Sequence, residues 1–255
     1  MTFFEMFSWS LVEMWRPRRV WLHSIISAVG PAFAILMRFL ADGFAAEQRY
    51  STVASLSVYS FTLVILGIVL GTGIIASDVT GKTVQYLLTR PISRPALFLA
   101  KWLAAAVTVS IFTSVSALLC ACILLGPDFL RVLERDLFII PVAAVAYTSV
   151  FAALSSLLTR PVLLAVAYTI GLESWIWAVP GDFAKLSLMS YVRVLSGHEA
   201  VGEQNELNEL LRALNPLVIT ESAAWNTILV VTVISLAVGA AVFATGQYIP
   251  KEETV

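Results

Sequence analysis

Six predominantly apolar runs, residues 20–40, 56–76, 96–125, 137–158, 162–180 and 225–246, divide this chain. Each approaches or exceeds the roughly 20 residues a helix needs to cross about 30 Å of hydrocarbon. An open sheet in lipid leaves backbone groups without hydrogen bonds, so the runs predict helices. With 59% hydrophobic and 13% charged residues, little material remains for a soluble core. The expected fold is an all-α integral membrane protein, a six-transmembrane-helix bundle forming a single domain over residues 1–255. The third run is longer than a bilayer requires, so it either tilts or begins in the interface near Lys101.

The N-terminus does not read as a cleavable signal. Its first charges are Glu5 and Glu13, and the basic cluster Arg16, Arg18 and Arg19 follows the aromatic segment. Phe3, Phe4, Phe7, Leu11, Met14 and Trp15 fall on one helical face with Glu5 and Ser10 elsewhere, which suits an amphipathic helix lying in the inner interface within residues 1–19. Placing both termini in the cytoplasm puts nine of the sixteen basic residues inside. They are Arg16, Arg18, Arg19, Lys82, Arg90, Arg94, Lys101, Arg160 and Lys251, against five acidic residues. The outer loops then carry the acidic excess, and Trp175 and Trp177 read as an outer aromatic belt.

Several chemistries are excluded. Cys120 and Cys122 are two apart on one helix, hence on different faces, and read as packing residues. His23 and His198 are isolated in the sequence, and no cluster has metal-ligand spacing. Nor is there a nucleophile–base or paired-aspartate arrangement for an intramembrane enzyme. Residues 76–83, ASDVTGKT, match a relaxed nucleotide-binding loop. That loop needs a preceding strand and a first glycine, whereas here a membrane helix precedes and alanine replaces the glycine. The chain is expected to hold no cofactor.

Between the second and third runs lies a polar segment bounded by prolines, SDVTGKTVQYLLTRPISRPALFLAK over residues 77–101. Val84, Leu87 and Leu88 form one apolar face of a short helix, with Lys82, Gln85 and Thr89 facing elsewhere. Asp78 or Thr80 is placed to cap its start. Pro91 stops it, and Pro95 opens the next span. A helix held at both ends between spans over residues 77–95 is suited to receive force from a cytoplasmic partner; the alternative is a connecting turn.

At these residues the chain resembles the membrane-spanning permeases of ABC type-2 exporters. Their pattern is an acidic residue, then Gly-Thr, a Leu-Leu-x-x-Pro-x-Ser-Arg run and Gly-Lys. Asp78, Thr83, Leu87, Leu88, Pro91, Ser93, Arg94 and Lys101 match it in register. Lys82 and Ala100 stand where the family usually has glycine, and Gly81 comes one position early. Residues 186–195, LSLMSYVRVL, and Glu173 further resemble the outer amphipathic piece and the acidic residue of the copper-enzyme-maturation-like members.

The resemblance implies a permease subunit in a prokaryotic cell membrane. It implies two permeases, as a homodimer or heterodimer, above two copies of a separate ATP-binding subunit that holds the ATP and magnesium. Asp78, Lys82, Thr83, Val84, Leu87, Leu88, Arg90 and Arg94 would form the ATPase-coupling surface together with the N-terminal helix. Arg16, Arg18, Arg19, Lys101, Trp175 and Trp177 would anchor the chain at the membrane interfaces in contact with lipid. No nucleic acid is expected among its partners. Two other readings stay open: a membrane scaffold for maturation of a respiratory or copper enzyme, and a secondary carrier using Glu173.

Glu173 itself, an ionisable group well inside its run, is either a structural hydrogen-bond centre or a group for cargo passage or gating. In the outer loop, residues 181–222, Leu207, Leu210, Leu211 and Leu214 predict a short external helix ended by Asn215-Pro216.

Overall fold

The computed structural model describes residues 2–40, 43–80, 93–158, 160–173, 185–198 and 219–246, for 76–80, 128 and 172 the backbone alone. Among them every regular element is helical. We number the helices α1 (Phe3–Met14), α2 (Pro17–Leu40), α3 (Ala46–Val53), α4 (Val64–Thr80), α5 (Arg94–Leu125), α6 (Phe129–Leu157), α7 (Pro161–Tyr168), α8 (Leu188–Ser196) and α9 (Glu221–Thr245). A π-helical segment, Ala54–Leu63, joins α3 to α4 without a break, and a second one, Thr169–Glu173, extends α7. Among the described residues five continuous helices are long and apolar enough to cross a membrane: Pro17–Leu40, Ala46–Ile75, Arg94–Leu125, Phe129–Leu157 and Glu221–Thr245. The fifth expected span appears as a shorter apolar helix, Pro161–Gly171, and residues 174–180 lie outside the described set.

Two expected outer loops are helical instead. The second span begins at Ala46, not near 56, and the fourth at Phe129, not near 137. Their opening turns carry Glu47 and Arg49, and Arg131, Glu134, Arg135 and Asp136. Charge made these turns look like loop, yet charged residues are good helix formers where water or a partner satisfies them. The break falls at Gly126, whose φ of 63° suits glycine, followed by Pro127. At the other end, Pro95 stands in the first turn of α5, as its fixed φ predicts.

The centre of the bundle is α5, 32 residues or about 48 Å long. It touches α1, α2, α3, α4, α6 and α9. Small residues bring the backbones together, as expected where lipid supplies no hydrophobic drive between helices. A Cβ on Gly30 of α2 would lie 2.5 Å from the Ser116 hydroxyl, and that hydroxyl donates to Ser27 O at 2.8 Å. A Cβ on Gly71 of α4 would lie 2.7 Å from Phe151 Cβ of α6.

Helix α1 opens on a capping box, with Thr2 and Glu5 bonding each other's backbone amides. It packs along α5 through Met6, Ser10 and Met14, with Phe7 and Leu11 half-buried beside them. The packed seam is offset from the aromatic stripe: Phe3, Phe4 and Trp15 of the stripe are exposed, Phe7 and Leu11 half-buried, and Met14 buried in the seam. Ser10 can enter the seam because its hydroxyl is satisfied locally, donating to Met6 O at 2.8 Å. Trp15 closes the contact with an indole N–H to the Thr108 hydroxyl at 3.3 Å. Cys120 is buried as a packing residue, whereas Cys122, on another face of α5, is exposed rather than packed.

Candidate functional site

Of the expected coupling residues, Lys82, Thr83, Val84, Leu87, Leu88 and Arg90 lie outside the described residues. Their two flanks do not. Helix α4 runs on to Thr80, so the backbones of Asp78 and Thr80, the two expected caps, both lie in its last turn. The apolar run leading into it carries the helix past residue 76, and nothing in SDVT compels a stop. On the other flank Arg94 begins α5, half-buried rather than spread on the interface. Its guanidinium donates to Ala244 O at 3.3 Å and Gly246 O at 3.2 Å. These are carbonyls at the end of α9, where helix geometry leaves acceptors unpaired and the dipole favours a cation. Arg94 thus fastens the downstream flank of the segment to the last span.

The expected anchors divide. Arg16 and Arg18 are exposed, and Arg19 pairs with Glu13 at 3.1 Å. Lys101 is not at the surface: it is only 8% exposed, within the packing around α5. Trp175 and Trp177, like the Leu207–Leu214 stripe, lie outside the described residues.

Glu173, 4% exposed, is the centre of a closed set of hydrogen bonds. Its Oε2 accepts from the Tyr147 hydroxyl at 3.0 Å, the Ser187 hydroxyl at 2.9 Å and the Met189 amide at 2.9 Å. Its Oε1 accepts from the Tyr168 hydroxyl at 2.7 Å and the Leu188 amide at 2.9 Å. The two amides open α8, whose own Ser187 makes no side-chain cap. A carboxylate from the fifth apolar segment therefore caps a helix fifteen residues downstream. That helix is amphipathic and packs its apolar face inward: Leu188, Met189, Tyr191, Val192 and Leu195 are all buried, against α6 and α9.

The far end of α8 enters a second buried cluster, one the sequence did not reveal. Asp136 of α6, fully buried, accepts from the Tyr50 hydroxyl on Oδ2 at 2.5 Å and from the Tyr59 hydroxyl on Oδ1 at 2.7 Å. His198 Nε2 lies 2.7 Å from the same Oδ1, so this histidine, alone in the sequence, is paired in space. Beside it, Arg135 Nε donates to Leu195 O at 2.7 Å, a cation at the C-terminal end of α8. Gly197 suits its place there because its φ is 71°, the left-handed region that closes α8.

The π segment explains why both tyrosines reach one carboxylate. Nine residues apart on an α-helix of about 3.6 residues per turn, Tyr50 and Tyr59 would face opposite sides. The wider i→i+5 turn between them takes back enough rotation to put both hydroxyls on Asp136. The Ser60 hydroxyl donates to Ser55 O at 2.8 Å within this segment. Asp136 and Tyr147 are eleven residues apart on α6, about 16 Å, so the two clusters fasten α8 at its two ends.

The sequence profile described as ABC-2 family transporter protein matches residues 13–229. The chain belongs to this family. As an ABC-2 family protein it is a multi-pass membrane transport component and not itself catalytic, and permeases of this kind generally work with an ATP-binding subunit. No curated protein matches the chain in sequence. The matched region takes in both buried carboxylates, all of α8 and both flanks of the coupling segment. Among the described residues no three histidine, cysteine, aspartate or glutamate side chains form a metal-binding group.

Proposed function

We propose that this chain is the permease subunit of an ABC-2 exporter, docking a separate ATPase through residues 82–89 and α1, with both termini on the cytoplasmic side. Two permeases and two ATPases make the working unit. The observation that supports this most is the mounting of the docking segment. Upstream, α4 runs without a break to Thr80 and packs on α5 and α6; downstream, Arg94 ties the first turn of α5 to the end of α9. A push on the 81–93 segment therefore enters three spans at once. Two helical levers fixed to the bundle transmit displacement better than a free loop, and ATP-driven closure would tilt them to alternate access at the permease interface.

Glu173 speaks against the carrier reading. A carrier's carboxylate must exchange partners with cargo ions, whereas Glu173 is occupied by five protein donors that hold α8.

The test is co-expression with a candidate ABC ATPase subunit from the same source, purification through a tag on the permease, and ATPase assay of wild type against a Leu87→Asp, Leu88→Asp double variant. A stoichiometric complex lost in the double variant supports the docking reading. A permease that purifies alone, under conditions where a control permease recruits its ATPase, overturns it in favour of the scaffold.

A further inference from the structure

Helix α2 packs on the π segment Ala54–Leu63 but scarcely touches α4 beyond it. Where the two part, α1 and α5 complete the walls of a cavity of about 230 Å³. Most polar groups in its lining are already bonded. Arg19 and Glu13 pair with each other at 3.1 Å, the Ser10 hydroxyl donates to Met6 O at 2.8 Å, and Lys101 is engaged within the protein. The wall therefore presents no charge that calls for an ion. His23 is different. It lines the cavity, is 1% exposed, stands edge-on to Phe112 with ring centroids 5.3 Å apart, and its Nδ1 has no hydrogen-bond partner. A buried polar group in that condition is costly unless an occupant bonds it.

Water fills such a space poorly, because each buried water needs about two to four polar partners and the imidazole is the one lining group with bonding left over. The remaining wall is largely apolar. Leu22 and Val69 belong to two membrane-length helices and are 48% and 38% exposed, so they carry the lining out to the lipid-facing flank between α2 and α4. An occupant must be uncharged, offer one hydrogen-bonding group at the inner end, and be hydrocarbon where it leaves. We propose that the cavity binds a neutral membrane amphiphile headed by a hydroxyl, of the diacylglycerol kind. The hydroxyl bonds the His23 imidazole, and the chains leave past Leu22 and Val69. A hydroxyl both donates and accepts, so it suits either tautomer of the histidine.

Gly73 lines the same cavity, and a Cβ added there would meet nothing within 4 Å, so a larger side chain at 73 makes a plug. Full-length protein in phosphatidylcholine nanodiscs is titrated with dioctanoylglycerol, with trioctanoylglycerol, which lacks the free hydroxyl, and with glycerol, which lacks the chains. Dioctanoylglycerol is expected to raise the melting temperature by about 5–10 °C at roughly a hundredfold excess over its dissociation constant, and the other two to leave it unchanged. A dioctanoylglycerol with a diazirine in one chain should crosslink to α2 and α4 beside Leu22 and Val69. Gly73→Leu should abolish both responses. His23→Phe keeps a ring against Phe112 and removes the hydrogen-bonding nitrogens; it should melt no lower than wild type without ligand and need about fivefold more dioctanoylglycerol for the same shift. This second variant and the crosslink map decide the matter should Gly73→Leu not fold. Equal shifts with the two esters, a shift with glycerol alone, no shift with any of the three, crosslinks elsewhere, or a His23→Phe response equal to wild type would overturn the assignment.

Discussion

Replacing Glu173 with glutamine separates a structural carboxylate from a gating one, because the geometry of its five donors leaves glutamine no good solution. Glutamine has one oxygen and one NH₂ where glutamate has two oxygens. If the NH₂ takes the Oε2 position it meets the Tyr147 and Ser187 hydroxyls, which can rotate to accept, and the Met189 amide, which cannot. If it takes the Oε1 position, the Tyr168 hydroxyl can adapt but the Leu188 amide cannot. Either way one main-chain N–H at the start of α8 faces another donor. A buried donor left unpaired costs about 1–3 kcal/mol. Loss of the negative charge at a partly buried helix start costs up to about 2 kcal/mol more. For a chain of this size the combined loss of about 3 kcal/mol lowers the melting temperature by about 6–12 °C. The assay is thermal unfolding of the purified protein in detergent, with Tyr147→Phe, which removes a single adaptable donor, shifting it by only about 2–4 °C. A Glu173→Gln protein that melts like wild type refutes the capping argument; if it also fails to support transport, the carboxylate acts in gating.

Three further perturbations test other joints of the bundle. Asp136→Ala strands the Tyr50 and Tyr59 hydroxyls and His198 Nε2 in a closed interior, and should destabilise by about 3–5 kcal/mol in the same melting assay; a cycle with His198→Ala should show coupling of about 1–3 kcal/mol. On α4, Gly71→Ala drives a Cβ to 2.7 Å from Phe151 Cβ and 3.3 Å from Thr148 O. It should cost about 1–3 kcal/mol, whereas Gly73→Ala two residues on should be neutral or slightly stabilising. Arg94→Met removes the guanidinium from Ala244 O and Gly246 O and should lower stability by only about 1 kcal/mol; under the docking reading it should depress permease-stimulated ATPase activity far more than it depresses melting.

What the sequence disclosed, and what it hid, follow from the range of each interaction. Helix limits set by local chemistry were legible: α5 ends at Leu125 before the Gly126-Pro127 break and starts with Pro95 in its first turn. Glu173 stood out because a lone acid inside an apolar run has few excuses. Asp136 did not, because it sits among Arg131, Glu134 and Arg135 and reads as loop. Its partners are 62 to 86 residues away, and Tyr50 and Tyr59 reach it only through a π segment that a 3.6-residue period does not predict. The α1 seam was not legible for a related reason. Aromatic residues can lie outward where the surroundings are lipid, so a hydrophobic stripe does not mark the side packed on protein; the small, self-satisfied Ser10 lies there instead.

Helix α8 ties these observations together. Nine residues are too few for a helix to persist unaided. It is held instead by charge at both ends in the sense its dipole favours, Glu173 at the first amides and Arg135 at the last carbonyls, with His198 on Asp136 just beyond. Arg135 and Asp136 of α6 hold the far end of α8 and the histidine beyond it directly, and Tyr147 of α6 holds Glu173, which caps the near end. Helix α4 is locked to α6 in turn by the close approach of Gly71 to Phe151. A displacement delivered to the last turn of α4 therefore reaches the Asp136 end through packed helices, with no loose joint on the way. The α4–α6–α8 body is thus held as a unit, and the exposed apolar faces lie outside it, on α2 and α9.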